Sequence, residues 1–211
     1  MKLTKEEIKF IDHFILDQNI KYLDIRSELI DHLATEFEEN SNFDLIEDYL
    51  KTKVSFVKTF AKKQQKIIHW SYQKKLWFQF AEFFYKPKFI ILLLGLIFSG
   101  NLLLRFFTIK QFSSIFFFTL IALILYPLFY QIKYSKAVKR VQSMQSLFTI
   151  NSLPSVFLYS FSAFKDALYE NYLLLALYAL FSILLGLSAV IIVEKNRKTI
   201  LGKYDQLVGE E

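Results

Sequence analysis

Residues 89–104 carry no charged side chain and read FIILLLGLIFSGNLLL. The run follows Lys86, Pro87 and Lys88 and stops at Arg105. Extended to Phe107, it matches the length that ~30 Å of hydrocarbon demands of a helix. Arg105 sits where a long side chain can snorkel to the far headgroups. Three more uncharged windows follow, at 111–132, 141–164 and 171–193. The third is polar for a span and contains Asn151 and Pro154, but proline is tolerated in a membrane helix when neighbours satisfy the freed carbonyl. The sequence therefore predicts an all-α protein: a small N-terminal helical bundle plus an interfacial helix and a four-helix transmembrane bundle. The expected spans are about 89–107, 112–132, 145–164 and 171–193.

Composition agrees with that class. Of 211 residues, 54% are hydrophobic and 24 are Phe, an excess suited to lipid, where apolar surface need not be hidden from water. Five Gly and three Pro leave little material for long irregular loops. Cysteine is absent, which removes disulfides, thiolate metal sites and Cys nucleophiles. Residues 1–20 are charged and amphipathic with no unbroken apolar core, so no cleavable signal peptide is expected.

Charge is unevenly spread. Residues 1–50 hold five basic and thirteen acidic side chains, while the remainder holds 21 basic and seven acidic. A nucleic-acid binder places its positive charge on the soluble part; here the soluble part is acidic, so no nucleic-acid partner is expected. The basic residues crowd the membrane borders instead. They form 51–88, then Lys133, Lys136, Lys139 and Arg140, then Lys195, Arg197, Lys198 and Lys203. Four crossings put all three clusters on one side, as the positive-inside rule requires, whereas three crossings strand the basic tail outside. The expectation is a multi-pass protein of the cell inner membrane with both termini cytoplasmic. The expected divisions are a head at 1–60, a juxtamembrane helix at 61–88, the spans at 89–194 and a tail at 195–211.

Within the head, Thr4 and Glu7 form a capping box. It opens a helix to about Asp17 with Ile8, Ile11 and Ile15 on one face, and Asn19 is a plausible stop. Asp24 can cap a second helix carrying Ile25, Leu29, Leu33 and Phe37. A third is expected from near Asn42, through Ile46 and Leu50 to Val57. The predicted core is Ile8, Ile11, Ile15, Leu29, Leu33, Ile46 and Leu50, which recur at three- and four-residue steps.

Residues 22–33, YLDIRSELIDHL, continuing to Glu36 and then to FDLIEDYL at 43–50, resemble the bacterial HAAS-type helical domain. In that family an E-L-x-D-H-L-like helix is followed by a turn and a second short helix. The resemblance implies a head that precedes a few transmembrane helices, often encoded beside a PadR-type transcriptional regulator. The family usually has Gly in the turn, where this chain has Asn40, Ser41 and Asn42.

Residues 51–88 hold ten Lys and one acid, Glu82. Trp70, Trp77 and Phe84 repeat every seven residues, with Lys74 and Lys75 between them. Lysine with Trp and Phe at helical spacing describes a helix lying in the interface of anionic lipids. The alternative is a soluble helix whose aromatics pack on the head.

Few residues suggest chemistry. Asp31, His32 and Glu36 share a helical segment, but two or three such groups make no metal site without others. No cofactor or metal is expected. A polar face of Glu28, Asp31, His32 and Glu36, meeting a basic partner or the chain's own 51–75 segment, is the simpler reading. No nucleophile elbow, phosphate loop or zincin motif is present, so no enzymatic activity is expected. In the spans the unusual residues are Asn101, Arg105, Asn151 and Pro154. Snorkelling accounts for Arg105, and interhelical hydrogen bonds for the asparagines. Gly95, Gly100 and Gly186 offer sites of close helix approach.

Two functions fit. The first is a regulatory or interaction protein whose cytoplasmic head binds a cytosolic regulator protein while the spans sense the bilayer or a small amphiphile. The second is a small transporter or channel component, in which Asn101, Arg105, Asn151 and Pro154 would serve. Either could work as a homo-oligomer.

Overall fold

A computed structural model describes residues 3–40 and 43–209, and among them every regular element is an α-helix. The Cα positions separate into two compact units. The first comprises residues up to 70, 135–146 and from 198 on; the second comprises 71–134 and 147–197.

The first unit begins with α1 (Lys5–Asp17). Its capping box is formed: the Glu7 N–H donates to Thr4 Oγ1 at 3.3 Å and the Thr4 N–H to Glu7 Oε2 at 2.7 Å. The same donation holds the Glu7 carboxyl below its usual range, through the Thr4 backbone first and the hydroxyl second. Asn19 ends the turn with φ 63°, the left-handed conformation that asparagine reaches more easily than most residues. Next come α2 (Leu23–Asn40) and the short α3 (Ile46–Thr52). The third helix is shorter than its periodicity suggests. The chain breaks at Lys53, and Val54 and Val57 start a new helix, α4 (Val54–Tyr85). Asn42, the expected starting point, lies outside the described residues.

The core of this unit is Ile11, Ile15, Ile20, Ile25, Leu29, Leu33, Tyr49, Leu50, Val57 and Ala61, with Ile46 partly buried against it. Ile8, expected inside, is 39% exposed. Ile11 and Ile15 cover the buried stripe one turn further on, so Ile8 falls at its edge. Arg26 is 7% exposed and paired with Asp12, which accepts from Nε at 2.8 Å and also from Nη2. A bidentate carboxylate makes such burial tolerable. Two further pieces belong to this unit: α7 (Ser135–Arg140) with the start of α8 (Gln142–Thr149), and the end of α10 (Tyr172–Gly209).

The second unit holds the apolar helices. Four stretches are long and apolar enough to cross a membrane: Pro87–Phe106, Ile109–Lys133, Gln142–Glu170 and Tyr172–Gly209. The first two are α5 and α6; the third is α8 together with α9 (Ser152–Glu170), and the fourth is α10. Their connections are tight. Thr108 caps α6 with Gln111 in a second capping box. Asn171 alone joins α9 to α10, its Oδ1 accepting from the N–H groups of Leu173 and Leu174 at 3.0 and 3.1 Å. Lys165, Asp166 and Glu170, which lie between the expected third and fourth spans, are helical and belong to α9.

Phe112, Phe116, Leu120 and Ile124 step along α6 by four and pack with Phe161 and Leu168 of α9 and Leu175 and Ala179 of α10. Pro127 lies inside α6 and has no N–H to give, which opens the ladder around it. Asn151 Nδ2 donates to the carbonyl of Ile124, three residues before Pro127, at 3.0 Å. Pro154 does not interrupt a span. It stands in the first turn of α9, where a missing N–H costs nothing. Gly186 lets α10 approach α6: a Cβ there would come within 3.0 Å of Leu123 Cδ1. Gly95 and Gly100 face open space. Helix α5 has no buried residue.

Candidate functional site

The head sequence places its most connected polar residues at the start of α2. Asp24 does not cap its own helix. Its carboxylate reaches α8, where Oδ1 accepts from the Gln142 N–H at 2.9 Å and Oδ2 from the Ser143 N–H at 2.9 Å and the Ser143 hydroxyl at 2.8 Å. The first N–H groups of a helix have no partner within it, and the N-terminus carries partial positive charge, so a carboxylate there satisfies donors and dipole together. Beside it the Tyr22 hydroxyl donates to Gln145 Oε1. Tyr22 and Asp24 thus clasp the helix that leads into the third apolar stretch. Gln142 also donates through Nε2 to Ser146 Oγ at 3.1 Å, one turn along α8. Sequence reasoning missed this site because capping is read from neighbours in the chain, and these partners lie 118 and 119 residues apart.

The expected partner-facing residues divide. Asp31 and His32 are exposed, and the His32 ring stands edge-on to Phe60 with centroids 5.1 Å apart. Glu28 and Glu36 are half-buried and engaged with the chain's own 51–75 segment. Gln64 Nε2 donates to Glu28 Oε1 at 2.6 Å, and Lys53 Nζ pairs with Glu36. That lysine holds the Glu36 carboxyl below its ordinary range. A groove of about 780 Å³ runs beside these residues between α1 and α2, lined by Lys9, Asp12, His13, Arg26 and Asp31 and closed by Arg140 and Leu207. No group of three or more His, Asp or Glu able to hold a metal occurs among the described residues.

The basic aromatic segment is not a separate helix over 61–88, because α4 runs unbroken from Val54 to Tyr85. Its earlier turns give Val57 and Ala61 to the head core. Later turns bury Tyr72, Leu76, Gln79 and Phe83 at helical spacing, and Phe80 stacks on Phe181 at 4.9 Å. Gln79 Oε1 accepts from Lys195 Nζ at 2.7 Å. Trp70, Trp77 and Phe84 remain 60%, 47% and 56% exposed. Lys74 lies 5.6 Å from the Phe78 ring and Lys75 4.3 Å from the Tyr72 ring. The stretch therefore offers two faces, one packed on protein and one of aromatics and lysines left outward.

Among the intramembrane candidates, Asn151 donates through Nδ2 to the Ile124 carbonyl while its buried Oδ1 has no partner, and Arg105 is exposed one residue before the end of α5. Asn101 donates to its own helix, to the Ile97 carbonyl at 2.9 Å. Tyr178, which sequence reasoning passed over, shares a hydrogen bond with Ser160 at 2.8 Å and donates to the Phe157 carbonyl.

No family model matches the chain, and no curated protein or solved structure matches it either.

Proposed function

We propose that the chain is a non-enzymatic regulatory protein of the inner membrane, whose helical head binds a cytosolic protein and is coupled to the spans through the clasp on α8. The clasp carries this reading. A carboxylate from the HAAS-like segment is committed to the first turn of the helix that enters the third apolar stretch, so anything that moves that helix changes the environment of the head. The exposed Asp31 and His32 lie one and two residues beyond Ile30, on the same α2.

The same unit supports an orientation. It joins the head, residues 135–146 and the tail, and two apolar stretches separate each of these from the next. This grouping supports a reading with all three on one side of a bilayer, and the basic residues of 135–146 and the tail support the cytoplasmic side. Reporter fusions after Lys139 and after Gly209 should score cytoplasmic, and a fusion at Asn171 external. The transport reading is less favoured, since Pro154 stands in the first turn of α9 and Arg105 near the end of α5.

The partner is tested with the full chain in nanodiscs, challenged with cytosolic proteins, including a PadR-type regulator if one is encoded nearby. Asp31→Lys combined with His32→Glu should weaken capture of a specific partner without altering the helical content. An identical captured set for wild type and variant removes this face from the proposal.

A further inference from the structure

The second unit contains a cavity of about 370 Å³ between α5, α6 and α10. It is more than twice the ~150 Å³ that suffices for a benzene-sized guest, and lies at the small end of ligand pockets. Its walls are mostly Leu, Ile and Phe, but Ser99, Asn101 and Thr119 also line it. The state of their hydrogen bonds decides what they can offer. Ser99 donates its hydroxyl proton to the Leu96 carbonyl at 3.0 Å, and Thr119 its own to the Ile115 carbonyl at 2.8 Å. Asn101 gives one N–H to the Ile97 carbonyl. Both hydroxyl protons are therefore used, while the lone pairs of Ser99 Oγ, Thr119 Oγ1 and Asn101 Oδ1 remain able to accept. An apolar wall with acceptors and few donors selects a guest that brings its own donor.

We infer that this cavity binds a single-chain aliphatic amphiphile with a neutral hydroxyl head, the chain lying between α5 and α10 and the hydroxyl donating to one of the acceptors Ser99 Oγ, Asn101 Oδ1 and Thr119 Oγ1. Three observations favour this guest over an ordinary acyl tail of the bilayer. The volume suits one medium-length chain and not a two-chain lipid. A bare tail brings no donor to any of the three acceptors, whereas a hydroxyl satisfies one of them in hydrocarbon, where hydrogen bonds are worth most. The site is also reached from lipid: Ser99 and Asn101 are exposed, and α5 has no buried residue to seal it. It stands on the ends of α5, α6 and α10 nearest the turns at 107–108 and 171, the leaflet opposite the head in the orientation proposed above. This inference supplies a ligand class for sensing by the spans. Its test reads binding at the spans alone, so it can fail while the head–partner reading stands, and the reverse.

The test uses the full chain in nanodiscs of phosphatidylethanolamine and phosphatidylglycerol, with a photoactivatable diazirine analogue of dodecanol as probe. Label should map to peptides from α5, α6 or α10 that line the cavity. Dodecanol should displace it at a bilayer mole fraction roughly three- to tenfold below that of dodecyl methyl ether, which lacks the donor. A Cβ at Gly100 meets nothing within 4 Å, so Gly100→Phe fills the space without backbone strain and should abolish the labelling. The shape-preserving set Ser99→Ala, Asn101→Leu and Thr119→Val should keep the labelling but make alcohol and ether equal competitors. Equal competition in the wild type, an unchanged alcohol preference in the triple variant, or undiminished labelling of a folded Gly100→Phe protein overturns the proposal.

Discussion

Replacing Asp24 with Ala removes the carboxylate that accepts at the α8 N-terminus and leaves two backbone donors, at Gln142 and Ser143, to find water. Loss of an N-cap acceptor costs about 1 kcal/mol, and the charge–dipole attraction adds a few tenths to about 1 kcal/mol. The opening of the first turn of α8 should become easier by roughly 1 to 2 kcal/mol, a factor of about 5 to 30 in the local equilibrium. Hydrogen exchange of the full chain in nanodiscs reads this directly. The Gln142 and Ser143 amides should exchange faster by that factor, while amides of α6 stay unchanged. Asp24→Asn keeps one acceptor oxygen and should fall between the two. Ser143→Ala removes only the hydroxyl contact and should have a small effect. If a folded Asp24→Ala protein exchanges at 142–143 as slowly as wild type, the carboxylate is not what holds that helix end.

Three further outcomes follow from the same structure. Leu33 is fully buried in the head core, so Leu33→Asp should bury an unpaired charge and expose the head to limited proteolysis while the spans remain resistant. Gly186→Val should lower the thermal stability of the purified protein by about 1 to 3 kcal/mol, since its side chain would meet Leu123, whereas Gly95→Ala should be neutral or mildly stabilising in the same assay. The Glu7 carboxyl is lowered by donation from Thr4, so its contribution to α1 should be complete at neutral pH and fade only as pH falls through that depressed value. Carboxyl NMR of labelled Glu should show a low titration midpoint that returns towards the ordinary range in Thr4→Ala.

Local rules carried the reading where the structure is local. The Thr4–Glu7 box, the Asn19 stop and the buried stripe Ile11, Ile15, Leu29, Leu33 and Leu50 all depend on spacings of a few residues, which periodicity reports. The apolar helices were legible because hydrocarbon imposes a length on them. Three things depended on distant partners and were not legible. Asp24 reads as the cap of its own helix until α8 is known to stand beside it. Pro154 reads as a kink until the break at 150–151 places it in a first turn. The aromatic face of α4 reads as wholly interfacial until Tyr72, Leu76, Gln79 and Phe83 are seen to be buried. Of the candidate partner face, the sequence could name Glu28 and Glu36 as acidic, but not that Gln64 and Lys53 already hold them.

The clasp also has a meaning in time. Asp24 and Gln142 are 118 residues apart, which at ordinary rates of synthesis separates their emergence by roughly 6 to 24 seconds. On the topology proposed above, the first two apolar helices would enter the membrane during that interval and return the chain to the side of its start. A chain that inserts one helix too few delivers Gln142 and Ser143 to the wrong side, and Asp24 is left without its helix. In the orientation proposed above, the contact can therefore close only once both segments stand on the same side of the membrane.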